Sequence, residues 1–191
     1  LTKKSTFMYI FKKMATLTVL MVVLLLTSTA FTSVTPDSPK ETVKKLVGVP
    51  TGLIRIQNRW KPTQYLNNEK GYINCGNIEN GWWSAMWTLE KVSGTSFYRI
   101  KNRWKPNQYV HIERGRLETS TIQNGWWSAM WTLEKVSGTN FYRIKNRWKP
   151  TQYIHIERGR LESSKIHAGA WSAMWTLGSI NTKVKSNSNT N

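Results

Sequence analysis

The chain has 191 residues, with 28 Lys and Arg against 10 Asp and Glu, a formal net charge of +18 at pH 7. That length fits one domain with appendages, and the basic balance favours acidic or polyanionic partners while also serving solubility. The single cysteine, Cys75, excludes an internal disulfide and a cysteine-based metal site, so an exported form must be held together by its core.

Residues 1–30 read as a secretory signal peptide. Lys3, Lys4, Lys12 and Lys13 precede the apolar run TLTVLMVVLLL, no acid occurs before Ala30, and Ser28-Thr29-Ala30 offers the small residues a signal peptidase reads. The run is short for a span, which takes about 20 apolar residues. Cleavage after Ala30 removes four lysines and no acid and leaves a net charge of +14. The expected destination is the periplasm, the cell surface or the medium. Residues 31–49 read as a polar linker.

From residue 50 the chain is a tandem array. Arg59-Trp60-Lys61-Pro62 returns as Arg103-Trp104-Lys105-Pro106 and as Arg147-Trp148-Lys149-Pro150, each time after 44 residues. Three gapless repeats follow, 50–93, 94–137 and 138–181, and the second and third agree at 32 of 44 positions. Residues 182–191 form a polar tail with nothing to bury and are expected to be disordered.

The second repeat shows the elements. FYRIKN (97–102) alternates, with Tyr98 and Ile100 on one face and Phe97, Arg99 and Lys101 on the other. RWKPN is a turn, its backbone set by Pro106. QYVHIE (108–113) alternates again, Val110 and Ile112 opposite Tyr109, His111 and Glu113. Arg114-Gly115 signals a hairpin, RLETSTI is a third strand, and AMWTLEKV is a fourth with Ala129, Trp131 and Leu133 on one face. Period-2 patterning throughout predicts strands.

Four short strands per repeat and three repeats predict an all-β fold that closes on three, a β-trefoil. A propeller usually needs four to eight blades, and an open solenoid needs caps. Equivalent positions would fill the core: Ile56, Ile100 and Ile144; Trp87, Trp131 and Trp175; Leu89, Leu133 and Leu177.

The pattern resembles the ricin B-type lectin family over 50–181. Tyr98-Arg99-Ile100 and Tyr142-Arg143-Ile144 match the first element, with Ile54-Arg55-Ile56 in the first repeat. The closing Gln-x-Trp-x-Leu element appears as Ala85-Met86-Trp87-Thr88-Leu89, Ala129-Met130-Trp131-Thr132-Leu133 and Ala173-Met174-Trp175-Thr176-Leu177, with alanine replacing the glutamine each time. The resemblance implies a carbohydrate-binding module with up to three weak, equivalent sites. Where the family carries a sugar-binding aspartate, this chain has Asn67, His111 and His155. A polar residue follows before the third turn, Glu79, Gln123 or His167. The aromatic platform is then Trp82 or Trp126; the third repeat has Ala170, leaving Trp171 as its stand-in.

The remaining tryptophans divide. Trp87, Trp131 and Trp175 keep register with core residues, and their N–H groups should find backbone acceptors. Trp83, Trp127 and Trp171 occur in every repeat and are assigned to packing that closes the barrel or its cap. Trp60, Trp104 and Trp148 shield the turn, stack on a ligand, or carry a flanking arginine by cation–π contact.

Two other readings stay open. Arg99, Lys101, Arg103 and Lys105, repeated as Arg143, Lys145, Arg147 and Lys149, interleave with Trp104 and Trp148, as in binders of anionic polysaccharide or single-stranded nucleic acid. Alternatively, the protein is structural, part of an envelope, with no small ligand. His111 and His155 are held apart by the repeat, so no metal site is expected. With no nucleophile motif, phosphate loop or paired carboxylates to name, neither enzyme activity nor a cofactor is expected.

Overall fold

The computed structural model describes residues 48–180. The predicted signal peptide, the linker up to residue 47 and the tail lie outside them. Twelve strands run in chain order: β1 Leu53–Asn58, β2 Tyr65–Asn67, β3 Asn74–Gly76, β4 Trp87–Lys91, β5 Tyr98–Asn102, β6 Tyr109–His111, β7 Glu118–Ser120, β8 Trp131–Lys135, β9 Tyr142–Asn146, β10 Tyr153–His155, β11 Glu162–Ser164 and β12 Trp175–Ser179.

Six of them close into a barrel. β1 pairs β4, β4 pairs β5, β5 pairs β8, β8 pairs β9, β9 pairs β12, and β12 returns to β1, all antiparallel. The registers repeat with the sequence: Trp87 faces Asn102, Trp131 faces Asn146, and Trp175 faces Asn58. The hairpins β2–β3, β6–β7 and β10–β11 attach to β1, β5 and β9. In the middle hairpin Gly115 turns the chain at φ 78°, a conformation side chains resist. The expected threefold trefoil is what forms.

The core consists of equivalent residues from each repeat. Ile56, Ile100, Ile144 and the three tryptophans Trp87, Trp131 and Trp175 are wholly buried. Leu177 is buried, whereas Leu89 and Leu133 are partly buried and pack against the cluster. Each core indole N–H donates to a hairpin carbonyl at 2.9 Å: Trp87 to Leu66, Trp131 to Val110, Trp175 to Ile154. These bonds spare the indole the cost of a buried, unpaired donor.

Two local expectations are corrected. The fourth strand begins at Trp87, Trp131 and Trp175; Ala129 and Met130 lie before it. A single 3-10 turn precedes each: Trp83–Ala85, Trp127–Ala129 and Trp171–Ala173. The second strand also ends early, at His111. Ile112 leaves the ladder to donate its N–H to the Ser128 carbonyl at 3.2 Å, which ties the hairpin to that turn.

Candidate functional site

Each repeat meets the next through one clasp. Asn102 ends β5 buried; its Oδ1 accepts the Lys105 N–H at 3.0 Å and closes the RWKP turn. Its Nδ2 donates back to the Ser84 carbonyl of the preceding repeat at 2.9 Å. Asn146 does the same to Ser128 at 2.8 Å, and Asn58 to Ser172 at 2.8 Å. The next residue adds a backbone bond of 2.9 Å: Arg103 to Met86, Arg147 to Met130, Arg59 to Met174.

The same arginines lie on the exposed tryptophans. The guanidinium carbon stands over the ring at 4.2 Å for Arg103 on Trp83, and at 4.1 Å for Arg147 on Trp127 and Arg59 on Trp171. Nη1 of each reaches the methionine sulfur at 3.0–3.1 Å. Phe141 and Phe97 back Arg59 and Arg147 at 4.7 and 4.6 Å.

Trp83, Trp127 and Trp171 are therefore not core. They are 54–56 % exposed, because the 3-10 turn directs the following Ser and Ala inward and leaves the indole outside. Trp60, Trp104 and Trp148 are 45–47 % exposed. Their cation partner is the following lysine, Lys61, Lys105 or Lys149, at 4.9–5.3 Å.

The second-strand polar residues are buried. His111 and His155 are 2 % exposed. His111 Nδ1 accepts the Glu113 N–H at 3.2 Å, and its Nε2 lies 2.7 Å from Ser120 Oγ; the figures for His155, with Glu157 and Ser164, are 3.3 and 2.7 Å. A nitrogen that accepts a backbone N–H carries no proton, so Nε2 is the donor and the ring is neutral. Burial holds both imidazoles below the ordinary histidine value, against the opposing pull of Glu118 and Glu162. Asn67 Oδ1 takes the corresponding Glu69 N–H at 3.4 Å, with Gly76 where the other repeats have serine.

Trp126 is half-buried and meets His111 edge-on, ring centroids 5.6 Å apart at 68°. Trp82 is half-buried as well, while Ala170 is buried. Glu79, Gln123 and His167 are exposed and open the turn: their carbonyls accept the N–H groups of Trp82, Trp126 and Ala170 at 3.2–3.4 Å.

One cleft of about 280 Å³ joins the third repeat to the first. Trp171, Ser172, Gly169, His167 and Glu157 line it from one side and Trp60 from the other. It brings together the sequence-derived candidates His167 and Trp171, and Trp60, for which the sequence leaves stacking on a ligand open, with Glu157, Gly169 and Ser172, which sequence reasoning passed over. Glu157 Oε1 lies 3.0 Å from His167 Nε2. In the other repeats the equivalent glutamates, Glu69 and Glu113, bond the turn serines Ser84 and Ser128 instead.

The basic residues are largely engaged. Lys101 and Lys145 pair with Glu90 and Glu134 at 2.9 and 2.8 Å, and these bonds raise both lysines above their ordinary value. Arg103 and Arg147 are in the clasps, and Arg99 and Arg143 are half-buried. Burial pushes the Cys75 thiol up to about 12, which leaves it protonated at neutral pH. Among the described residues no three His, Cys, Asp or Glu come together as a metal site would require.

Neither a known protein-family signature nor a curated protein sequence matches this chain. Solved structures do. A GlcNAcα1-4Gal-releasing endo-β-galactosidase from Clostridium perfringens is similar at 28 % identity and TM-score 0.61, over 69 % of this chain and 34 % of that one. The present chain thus spans about a third of that enzyme. ThreeFoil, a designed threefold-symmetric protein, is similar at 14 % and 0.57, over 67 % of this chain and 99 % of its own. SeviL, bound to the asialo-GM1 saccharide, is similar at 20 % and 0.56, over 69 % and 100 %.

The chain is a β-trefoil, the fold it shares with these solved structures. Within this trefoil, sequence reasoning missed the clasp asparagines Asn58, Asn102 and Asn146, although each directly precedes RWKP, where a side chain that closes its own turn belongs. It also missed Ser172 and the role of Arg59. No local signal joins Arg59 to Trp171, since only barrel closure brings the first and last repeats together.

Proposed function

We propose that this trefoil is a carbohydrate-binding module, without catalysis of its own, that works outside the cell. The observation that carries the reading is the cleft: two exposed indoles, Trp60 and Trp171, converge with the Glu157 carboxylate and the Ser172 hydroxyl. Sugar rings have weakly polarised C–H faces that lie on indoles, and hydroxyls that seek such polar neighbours. A few converging polar groups on a largely apolar wall is the usual form of a small-molecule site. The saccharide-bound lectin and the galactosidase among its structural neighbours support the same class. Equivalent indole pairs, Trp83 with Trp104 and Trp127 with Trp148, recur with the repeat, so up to three weak sites on one body would gain from a multivalent glycan.

The test is a glycan array carrying neutral galactose- and N-acetylglucosamine-terminated glycans beside sulfated ones, at low and high salt. Binding to neutral glycans that survives salt is expected, and Trp60→Ala should weaken it about tenfold, or roughly 1.4 kcal/mol, without changing the melting temperature. Signal confined to acidic glycans and erased by salt would transfer the function to the lysines and arginines. Silence at both salts overturns the reading.

A further inference from the structure

We infer that the third repeat holds the ligand-accepting cleft, that His167 keeps it open, and that its ligand is a neutral saccharide. This rests on the carbohydrate-binding reading, and the three repeats serve as one another's controls. In repeats one and two the glutamate after the second strand is closed onto the turn serine, Glu69 on Ser84 and Glu113 on Ser128. Both polar groups a sugar would use are spent on each other. In the third repeat Glu157 turns instead to His167 Nε2 at 3.0 Å. Among the described residues Ser172 Oγ then has no hydrogen-bond partner, and both groups line the cleft.

His167 is suited to that task, and its counterparts are not. Its Nδ1 lies 3.0 Å from the Ala168 carbonyl, and its Nε2 faces the Glu157 carboxylate. Both oxygens are acceptors, so both contacts are hydrogen bonds only when the ring is an imidazolium. Glu79 would repel the carboxylate, and Gln123 brings no charge. The third repeat also has Ala170 where repeat two places the Trp126 indole against its buried histidine. Glu157 is the charged group against the His167 ring; Arg59 is stacked on Trp171, Lys61 stands over Trp60, and Arg158 adjoins Glu157 in the chain.

The chemistry follows. A saccharide ring stacks on Trp60 and Trp171, and neighbouring hydroxyls donate to Glu157 Oε2 and exchange a bond with Ser172 Oγ. An acidic sugar would bring its carboxylate toward Glu157 and be rejected. Without the His167 contact, Glu157 falls back onto Ser172, as its counterparts do in the other repeats.

The experiment has two arms on the full chain. Calorimetry with a neutral galactose-terminated oligosaccharide should give one site per chain. His167→Gln should bind about tenfold more weakly, roughly 1.4 kcal/mol, and His167→Arg, which keeps a charged donor opposite Glu157, should bind as the parent does. Three sites, or His167→Gln with wild-type affinity, overturns the inference while leaving carbohydrate binding intact. The second arm needs no ligand: the Glu157 carboxyl 13C signal, set by its contact with His167, should move in His167→Gln and stay near the parent position in His167→Arg. A Glu157 signal unmoved by His167→Gln overturns the inference even if no glycan binds.

Discussion

At the scale of single residues, His111 and His155 carry a cost that appears only in acid. Both are held neutral by burial, each accepting a backbone N–H at Nδ1. Their folded value is depressed, so the unfolded chain binds protons more readily below the unfolded value of about 6.5. Their contribution to stability is complete above that value and is lost as pH falls below it toward the folded one. The first repeat shows the remedy, Asn67 with Gly76 in place of histidine with serine. His111→Asn with Ser120→Gly should therefore flatten part of the fall in melting temperature between about pH 6.5 and about pH 5, read by thermal unfolding across pH. An unchanged slope would mean that the histidines protonate freely in the fold. Alternation along QYVHIE puts His111 opposite the core and reads it as accessible. It is hidden because Ser120, nine residues on, reaches its far nitrogen and the Trp126 ring stands over it.

At the scale of elements, tryptophans a few residues apart have opposite fates. Trp131 opens β8, is wholly buried and donates to the Val110 carbonyl, so Trp131→Ala leaves a cavity and an unpaired acceptor. Denaturant unfolding should show a loss of about 3–5 kcal/mol. Trp127 touches Arg147 from the outside, and Trp127→Ala should cost about 1 kcal/mol, the scale of an exposed cation–π contact. Equal losses would contradict the placement of the 3-10 turn. The barrel strands were legible because Tyr-Arg-Ile and Trp-Thr-Leu alternate in every copy. The 3-10 turn was not, since Trp-Ser-Ala followed by Met-Trp looks like the start of an apolar strand, and three residues are too few to establish a period. The exposed indoles were misread for a related reason: residue type alone cannot distinguish an aromatic that packs inward from one covered on one face by another repeat's arginine.

At the scale of the whole trefoil, the seam between β12 and β1 is the same kind of seam as β4 with β5 and β8 with β9. Ile54 pairs with Ser179, so the two ends of the array lie side by side. A circular permutant that joins those ends through a short linker and opens at Ser93-Gly94, an exposed turn, should fold cooperatively with a melting temperature within several degrees of the parent, since a change of about 1 kcal/mol moves it that far. Loss of cooperative unfolding would show that the natural seam carries something the others lack. The count of three repeats made this closure legible in advance. The cleft was not legible, because its two walls come from opposite ends of the array and the resemblance directed attention to Trp82 and Trp126, inside single repeats.

The clasp also bears on descent. Because Trp83, Trp127 and Trp171 are each held by the arginine of the next repeat, the unit that is copied when such a gene lengthens differs from the unit of the proposed site. A duplicated 44-residue segment brings two unmatched halves of a site, and they become whole only against neighbours. In the proposed site, specificity is therefore inherited at the joints. A substitution in the first repeat, at Trp60 or Arg59, acts on the surroundings of the third.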